Sequence, residues 1–205
     1  MKLAAVKQAL AAVSAELISE RDYAAKGFGL DVLVAPEHIE AAVTVLDKEG
    51  FFIEAITGVD WFGEKESAHK EAVAAAKKKS QDAGKAAAKK IADEGGDEEA
   101  QKEAQKAAEG AVNIPTAPGE PFVEEMEVVY DFNHYAEFCR VVVRVRVPRD
   151  TPDVPTISHI YPGANWHERE THDFFGINFV GHPYLVPLLL PEDADFHPLK
   201  KDFHV

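Results

Sequence analysis

Cysteine is almost missing from this chain: Cys139 is the only one in 205 residues. A single thiol cannot build a disulfide framework, a CxxC redox pair or a cysteine-ligated iron–sulfur cluster within the chain. The usage fits a reducing compartment. Positive charge is also short, with 22 Lys and Arg against 36 Asp and Glu and a formal net charge of −14. Nucleic acid and anionic lipid surfaces both need basic patches, so both are argued against as ligands. Nine histidines soften that balance only below about pH 6.5. No stretch reaches the roughly 18 uninterrupted apolar residues of a membrane span. The opening "MKLAAVKQALAAVSAELISE" is interrupted by Lys7, Gln8, Ser14 and Glu16, which predicts an amphipathic helix and not a signal peptide. The expected state is soluble or peripheral.

What is present suffices for one sizeable core, since 46% of the residues are apolar. Leu3, Val6, Leu10, Val13 and Leu17 step by three and four, which predicts one helix face over 2–24. "GLDVLVAP" predicts a strand, and "PEHIEAAVTVLDKEG" a helix with Pro36 at its start and Gly50 as its stop. "FFIEAITGVDW" returns to β-forming residues. From Glu64 to Gly110 there is no Phe, Trp or Tyr, and ten lysines face eleven acids. That composition favours helix without an apolar stripe beyond alanine. It predicts a solvated helical hairpin, or a pair of fraying helices, inserted into a surface loop, serving as a contact arm or as a tolerated insertion.

Beyond "NIPTAPGEPF", the stretches "EEMEVVYDFNH" and "EFCRVVVRVRVPR" predict two strands joined by a tight turn. Arg140, Arg144 and Arg146 share one parity of the second strand, and Val141, Val143, Val145 and Val147 the other. One side is then core and the other is wet or paired with acids. The expected fold class is α+β. It is a two-layer domain with a mixed or antiparallel sheet and two helices in its N-terminal half, plus a helical low-complexity insertion and an extended Pro-rich C-terminal arm. The boundaries fall at 1–63 with 113–180 for the domain, 64–112 for the insertion and 181–205 for the arm.

"DVPTISHIYPGANWHERETHDFFG" predicts two short helical pieces divided by "YPGAN". Asn165 is the expected N-cap, Glu168 its capping-box partner and Gly176 the stop. The zincin motif needs two histidines four residues apart. In "HERETH" His167 and His172 are five apart, which leaves them roughly 140° apart around a helix axis. They cannot share one zinc from an unbroken helix. A metal would need His159, His182 or His197 as further ligands. Glu168 with His172, Arg169 with Asp173, and Glu170 with Asp173 have the spacing of helix-surface pairs.

The final stretch carries prolines at 183, 187, 191 and 198, which exclude a helix and a central strand. Tyr184, Leu185, Val186, Leu188, Leu189 and Leu190 nevertheless form an apolar block. Burying six such side chains yields roughly 9–18 kcal/mol gross. Ordering some twenty residues costs about 1–2 kcal/mol each. The arm is therefore expected to take one structure only alongside a larger interface.

"WHERETHDFFGINFVGHP", followed by "LLLPEDADFHPLKKDF", closely resembles the signature of the respiratory complex I 30 kDa subunit family. In bacteria this is the C subunit of NADH–quinone oxidoreductase, with relatives in F420H2 dehydrogenases and membrane-bound energy-converting hydrogenases. The pattern falls on Glu168, Arg169, Glu170, Asp173, Phe175, Gly176, Ile177, Phe179, Gly181, His182 and Pro183. It continues through Pro191, Glu192, Asp193, His197, Pro198, Leu199, Lys200, Lys201 and Asp202. "GVDW" and "FNHY" are also similar to the family, and the resemblance covers most of the chain except 64–112.

The resemblance implies a non-catalytic scaffold subunit on the cytoplasmic face of the membrane, reached only through its complex. It implies no cofactor in this chain; iron–sulfur clusters, flavin or a NiFe centre would sit in partner subunits. The implied partners are the 49 kDa (hydrogenase-large-subunit-like) quinone-module subunit and the terminal-cluster subunit. Glu168, Arg169, Glu170 and Asp173 would form the salt bridges that set a docking helix, and His182 and His197 would cap turns. Tyr184–Pro187 and Phe196 depart from the family pattern, so the particular complex stays open. Two other readings stand beside it: a stand-alone metalloenzyme on the C-terminal histidines, and a generic α+β binding module.

Overall fold

A computed structural model describes residues 2–13, 15–93, 95, 97–115, 122–137 and 139–204. In chain order the elements are α1 (Lys2–Ala12), β1 (Ala15–Glu20), α2 (Tyr23–Lys26), β2 (Leu30–Val34), a 3-10 turn (Pro36–His38), α3 (Ile39–Lys48) and β3 (Phe52–Asp60). They continue with α4 (Glu64–Asp93), α5 (Glu98–Gly110), β4 (Glu125–His134), β5 (Cys139–Pro148), β6 (Asp153–Pro155), α6 (Ala164–Phe175) and β7 (Asn178–Val180). These form two compact units: residues up to Phe62 with those from Glu124 onward, and Gly63–Val123.

The first unit is a mixed α+β structure around a five-stranded sheet of order β1-β2-β5-β4-β3. β2 and β5 run parallel; the other pairs are antiparallel. The parity read from β5 decides the layers. Val141, Val143, Val145 and Val147 join Leu30, Val32, Tyr130 and Phe132 in one buried cluster with Val6 and Leu10 of α1, Val43 and Leu46 of α3, and Ala164. The arginines take the opposite parity and meet acids. Arg144 bonds Asp31 at 2.7 Å and Glu127 at 2.9 Å, and Arg146 bonds Glu127 at 2.8 Å. Glu127 is fully buried, so both partners are needed to offset the loss of its hydration.

Two expectations are corrected. Residues 2–24 are not one helix: α1 ends at Ala12, and 15–20 pair with β2 across a bulge between Ala15 and Leu17. Edge pairing overrides the helical period, and Leu17, expected on the helix face, is 57% exposed. The first of the two pieces expected helical near 153–160 is instead β6, paired parallel with β7, followed by a turn. There Ser158 N–H donates to the Thr156 hydroxyl at 3.1 Å, the local bond by which Ser and Thr favour turns.

In the second unit, Asp97 caps α5 by accepting from Ala100 N–H at 2.9 Å. The Ser80 hydroxyl of α4 donates to the Glu109 carbonyl at 2.9 Å. Gly84 lets the helices close, because a Cβ there would lie 2.6 Å from the Glu109 side chain. Part of the loop "NIPTAPGEPF", at 116–121, lies outside the described residues, as does Phe138 near the β4–β5 turn.

α6 lies against β3. Its last aromatic, Phe175, fills the space over Gly58, where a Cβ would come within 2.6 Å of the ring. The Thr171 hydroxyl faces the Ile56 carbonyl at 3.5 Å. Gly58→Ala is therefore expected to destabilise the fold by about 1–3 kcal/mol through overpacking. Chemical denaturation measures it as a lower midpoint at unchanged slope; an unchanged midpoint contradicts this packing.

Candidate functional site

α6 starts two residues before the expected position. Its N-cap is Gly163, without a side-chain cap, so the box of Asn165 and Glu168 does not form. Glu168 turns inward instead. Its carboxylate accepts from Ile157 N–H at 2.8 Å and from the Thr156 hydroxyl. Burial pushes this carboxyl up to about 7, against the pull of those two donors. Gly176 ends the helix at φ 73, with its N–H on the His172 carbonyl at 2.8 Å.

Arg169 and Asp173 have the spacing of a surface pair, but each binds the arm. Arg169 donates from Nε to the Val186 carbonyl at 3.0 Å and from Nη2 to the Pro187 carbonyl at 2.9 Å. Its guanidinium lies 5.4 Å from the ring centres of both Trp166 and Tyr184. Asp173 Oδ2 accepts N–H groups from Leu188 at 2.7 Å, Leu189 at 2.7 Å and Leu190 at 3.3 Å. Pro187 and Pro191 lack an N–H, so these three amides are the donors available between them. The cation takes carbonyls and the anion takes the amides that follow.

The rest of the arm is tied down in the same way. His197 Nδ1 meets the Asp173 carbonyl at 2.8 Å, and Leu199 N–H bonds the Phe174 carbonyl at 3.0 Å. The His197 ring crosses Gly176, where a Cβ would sit 2.6 Å from it. Asp60, at the end of β3, accepts Lys201 N–H at 3.0 Å and Arg149 Nε at 3.1 Å; Arg149 also holds Asp202. Burial raises the Asp60 carboxyl. The Arg149 hydrogen bond, the Lys201 and Phe62 amides and the Arg149 charge outweigh it and hold the group below the ordinary carboxylate range. The larger interface that the arm requires includes its own body, whose charged groups bind its backbone.

The family model for the respiratory-chain NADH dehydrogenase 30 kDa subunit matches residues 85–205. The chain belongs to this family. The match begins inside α4, so it takes in part of the segment that the motif-based resemblance left out. The C subunit of NADH-quinone oxidoreductase from Roseiflexus castenholzii is 50% identical over 76 residues, 37% of this chain and 44% of that relative. The C subunit of F(420)H(2) dehydrogenase from Methanosarcina mazei is 40% identical over 84 residues, 40% of this chain and 53% of the relative. The matched stretch thus spans about half, or less, of these relatives.

Two solved structures share the fold. The membrane-bound sulfane sulfur reductase, an archaeal respiratory membrane complex, superposes with a TM-score of 0.59 at 21% identity over 99% of this chain and 85% of that one. The trypsin-resistant fragment of Nqo5 gives 0.50 at 23% identity over 90% of this chain and all of that one.

The family signature residues divide by role. Arg169, Asp173, Gly176 and His197, with the Lys201 backbone and Asp202, hold the arm, while Phe175 seats α6 on β3. Gly181 turns at φ 84 into the arm. Glu170 and Pro198 are half-buried, and Pro183, Pro191, Glu192 and Asp193 are exposed. The histidines point to separate partners: His172 Nδ1 meets the Ile177 carbonyl at 2.9 Å, and His182 Nδ1 accepts Tyr184 N–H at 3.1 Å. Among the described residues no three His, Cys, Asp or Glu side chains converge as a metal site. Asp60, Arg149 and Thr156 were missed as functional positions; "GVDW" drew notice only for its likeness to the family.

Removing the Asp173 carboxylate leaves three amides without their acceptor, at a cost of about 1–3 kcal/mol. Asp173→Ala is expected to speed chymotryptic cleavage near Leu188–Leu190 by about tenfold for each 1.4 kcal/mol lost; unchanged cleavage contradicts the clamp. The raised Glu168 carboxyl binds its proton more tightly when folded, so its contribution is full below 4.5 and is lost as pH rises through about 7. Glu168→Gln stays neutral and is expected to gain stability relative to the parent across that interval. Denaturation curves at stepped pH check it, and a pH-independent difference contradicts it.

Proposed function

We propose that this chain is a non-catalytic scaffold subunit of the peripheral arm of a complex-I-type NADH:quinone oxidoreductase. It docks on the hydrogenase-like large subunit of the quinone module, beside the subunit holding the terminal cluster, and supports electron transfer coupled to ion translocation. Iron–sulfur clusters and flavin belong to its neighbours. Its attachment to the cytoplasmic face is peripheral; among the described residues no helix is long and apolar enough to cross a membrane.

The observation that carries this reading is the presentation of the arm. Tyr184 is 64% exposed, Leu189 59% and Leu199 52%, while charged side chains of the same chain fix the backbone between and beside them. Exposed apolar groups on a preset backbone suit docking, because the ordering cost is met before association. A second reading, the equivalent subunit of an F420H2 dehydrogenase or an energy-converting hydrogenase, is favoured by the Methanosarcina mazei relative.

Gentle-detergent purification from native membranes, with mass spectrometry of the companions, tests both. A quinone-module large subunit with NADH-oxidising partners supports the first reading, F420-linked or NiFe partners the second, and recovery of the chain alone overturns both. Arg169→Ala is expected to lower incorporation into the complex several-fold; normal incorporation contradicts the role of the arm.

A further inference from the structure

His182 stands where the body passes into the arm, one residue after the turn at Gly181. Its side chain is fully buried, as is that of Glu168. Nδ1 accepts the N–H of Tyr184 at 3.1 Å. An imidazole nitrogen that accepts carries no proton, so the ring is neutral with its hydrogen on Nε2. That Nε2 is buried without a hydrogen-bond partner, 3.9 Å from Glu168 Oε2. The bond from Nδ1 to an amide two residues on, across Pro183, copies the turn that Asn or Asp makes with its own backbone.

We propose that His182 is an acid-sensitive latch on the C-terminal arm, closed by the neutral ring and opened when Nδ1 takes up a proton. A protonated Nδ1 is a donor facing another donor, so the same event that charges the ring removes the cap from the Tyr184 amide. Little nearby rewards the charge. From α6, Arg169 and His172 oppose it, while the Asn165 carbonyl favours it. Glu168 is the acid that faces the ring, and burial makes it neutral on the acidic side of about pH 7, so it offers no counter-charge when protonation would occur. From the loop after β6, Thr156 presents only a hydroxyl, already given to Glu168. Burial therefore leads the causes that hold His182 below the ordinary histidine range.

The sign follows from that depression. The latch is closed above the ordinary histidine value near 6.5 and is lost as pH falls through the lower value of the folded state. Opening frees Tyr184 from its place against Arg169 and loosens the first turn of the segment that Arg169 and Asp173 hold.

The test uses the full chain labelled with 15N, followed by NMR from pH 7.5 to 4.5, reading the His182 ring nitrogens and the Tyr184 amide protection factor. The expected result is an Nε2–H ring at neutral pH and a fall in Tyr184 protection of about tenfold or more, in step with ring protonation. His182→Asn keeps an acceptor for the same amide but does not titrate, so its Tyr184 protection is expected to stay constant over the range. An Nδ1–H ring at neutral pH overturns the proposal. So does parental protection that survives ring protonation, or a His182→Asn chain that loses protection along the parental curve.

Discussion

One short run of backbone, residues 186–190, is read by two opposite charges placed one helical turn apart. Arg169 takes the last carbonyls and Asp173 takes the first amides after them. An extended, proline-broken segment has no secondary structure in which to satisfy its own polar groups, and its apolar side chains cannot offset the ordering cost alone. A guanidinium and a carboxylate supply charge-assisted bonds that are each stronger than a neutral one. Pro187 and Pro191 narrow the donors to three and lower the entropy lost in fixing them.

The rest of the first unit keeps that helix in place. Phe175 over Gly58 fixes the distance of α6 from the sheet, and the Tyr161 hydroxyl ties the approach to α6 to the Phe51 carbonyl at 2.7 Å. Glu168 fastens α6 to the loop after β6. The tail is fixed a second time by Arg149, bridging Asp60 and Asp202 over the Phe62 ring. The arm is thus held at both ends while Tyr184, Leu189 and Leu199 remain exposed.

The sheet was largely legible in the sequence, because alternation is local: the Val and Arg parities of β5 are both realised. β1 was not, since an edge strand of six residues beside a helix carries no period of its own and is defined by its pairing with β2. The signature around "HERETH" could be recognised but not interpreted. Spacing offers Arg169 and Asp173 to each other, whereas their real partners lie 15 to 18 residues downstream and are backbone groups. Glu168 looked like a cap for the same reason, and only the position of Thr156 reveals it as a buried anchor. Asp60 and Arg149 stand 89 residues apart, so nothing short of the fold could join them.

The most direct test is amide hydrogen exchange in the isolated full chain at neutral pH, followed at Leu188, Leu189 and Leu190. A backbone held by Asp173 before any partner arrives predicts protection on the order of tenfold or more over an unstructured chain. Exchange of all three amides at the unstructured rate would contradict it, and would mean that the arm takes its shape only in the assembled complex.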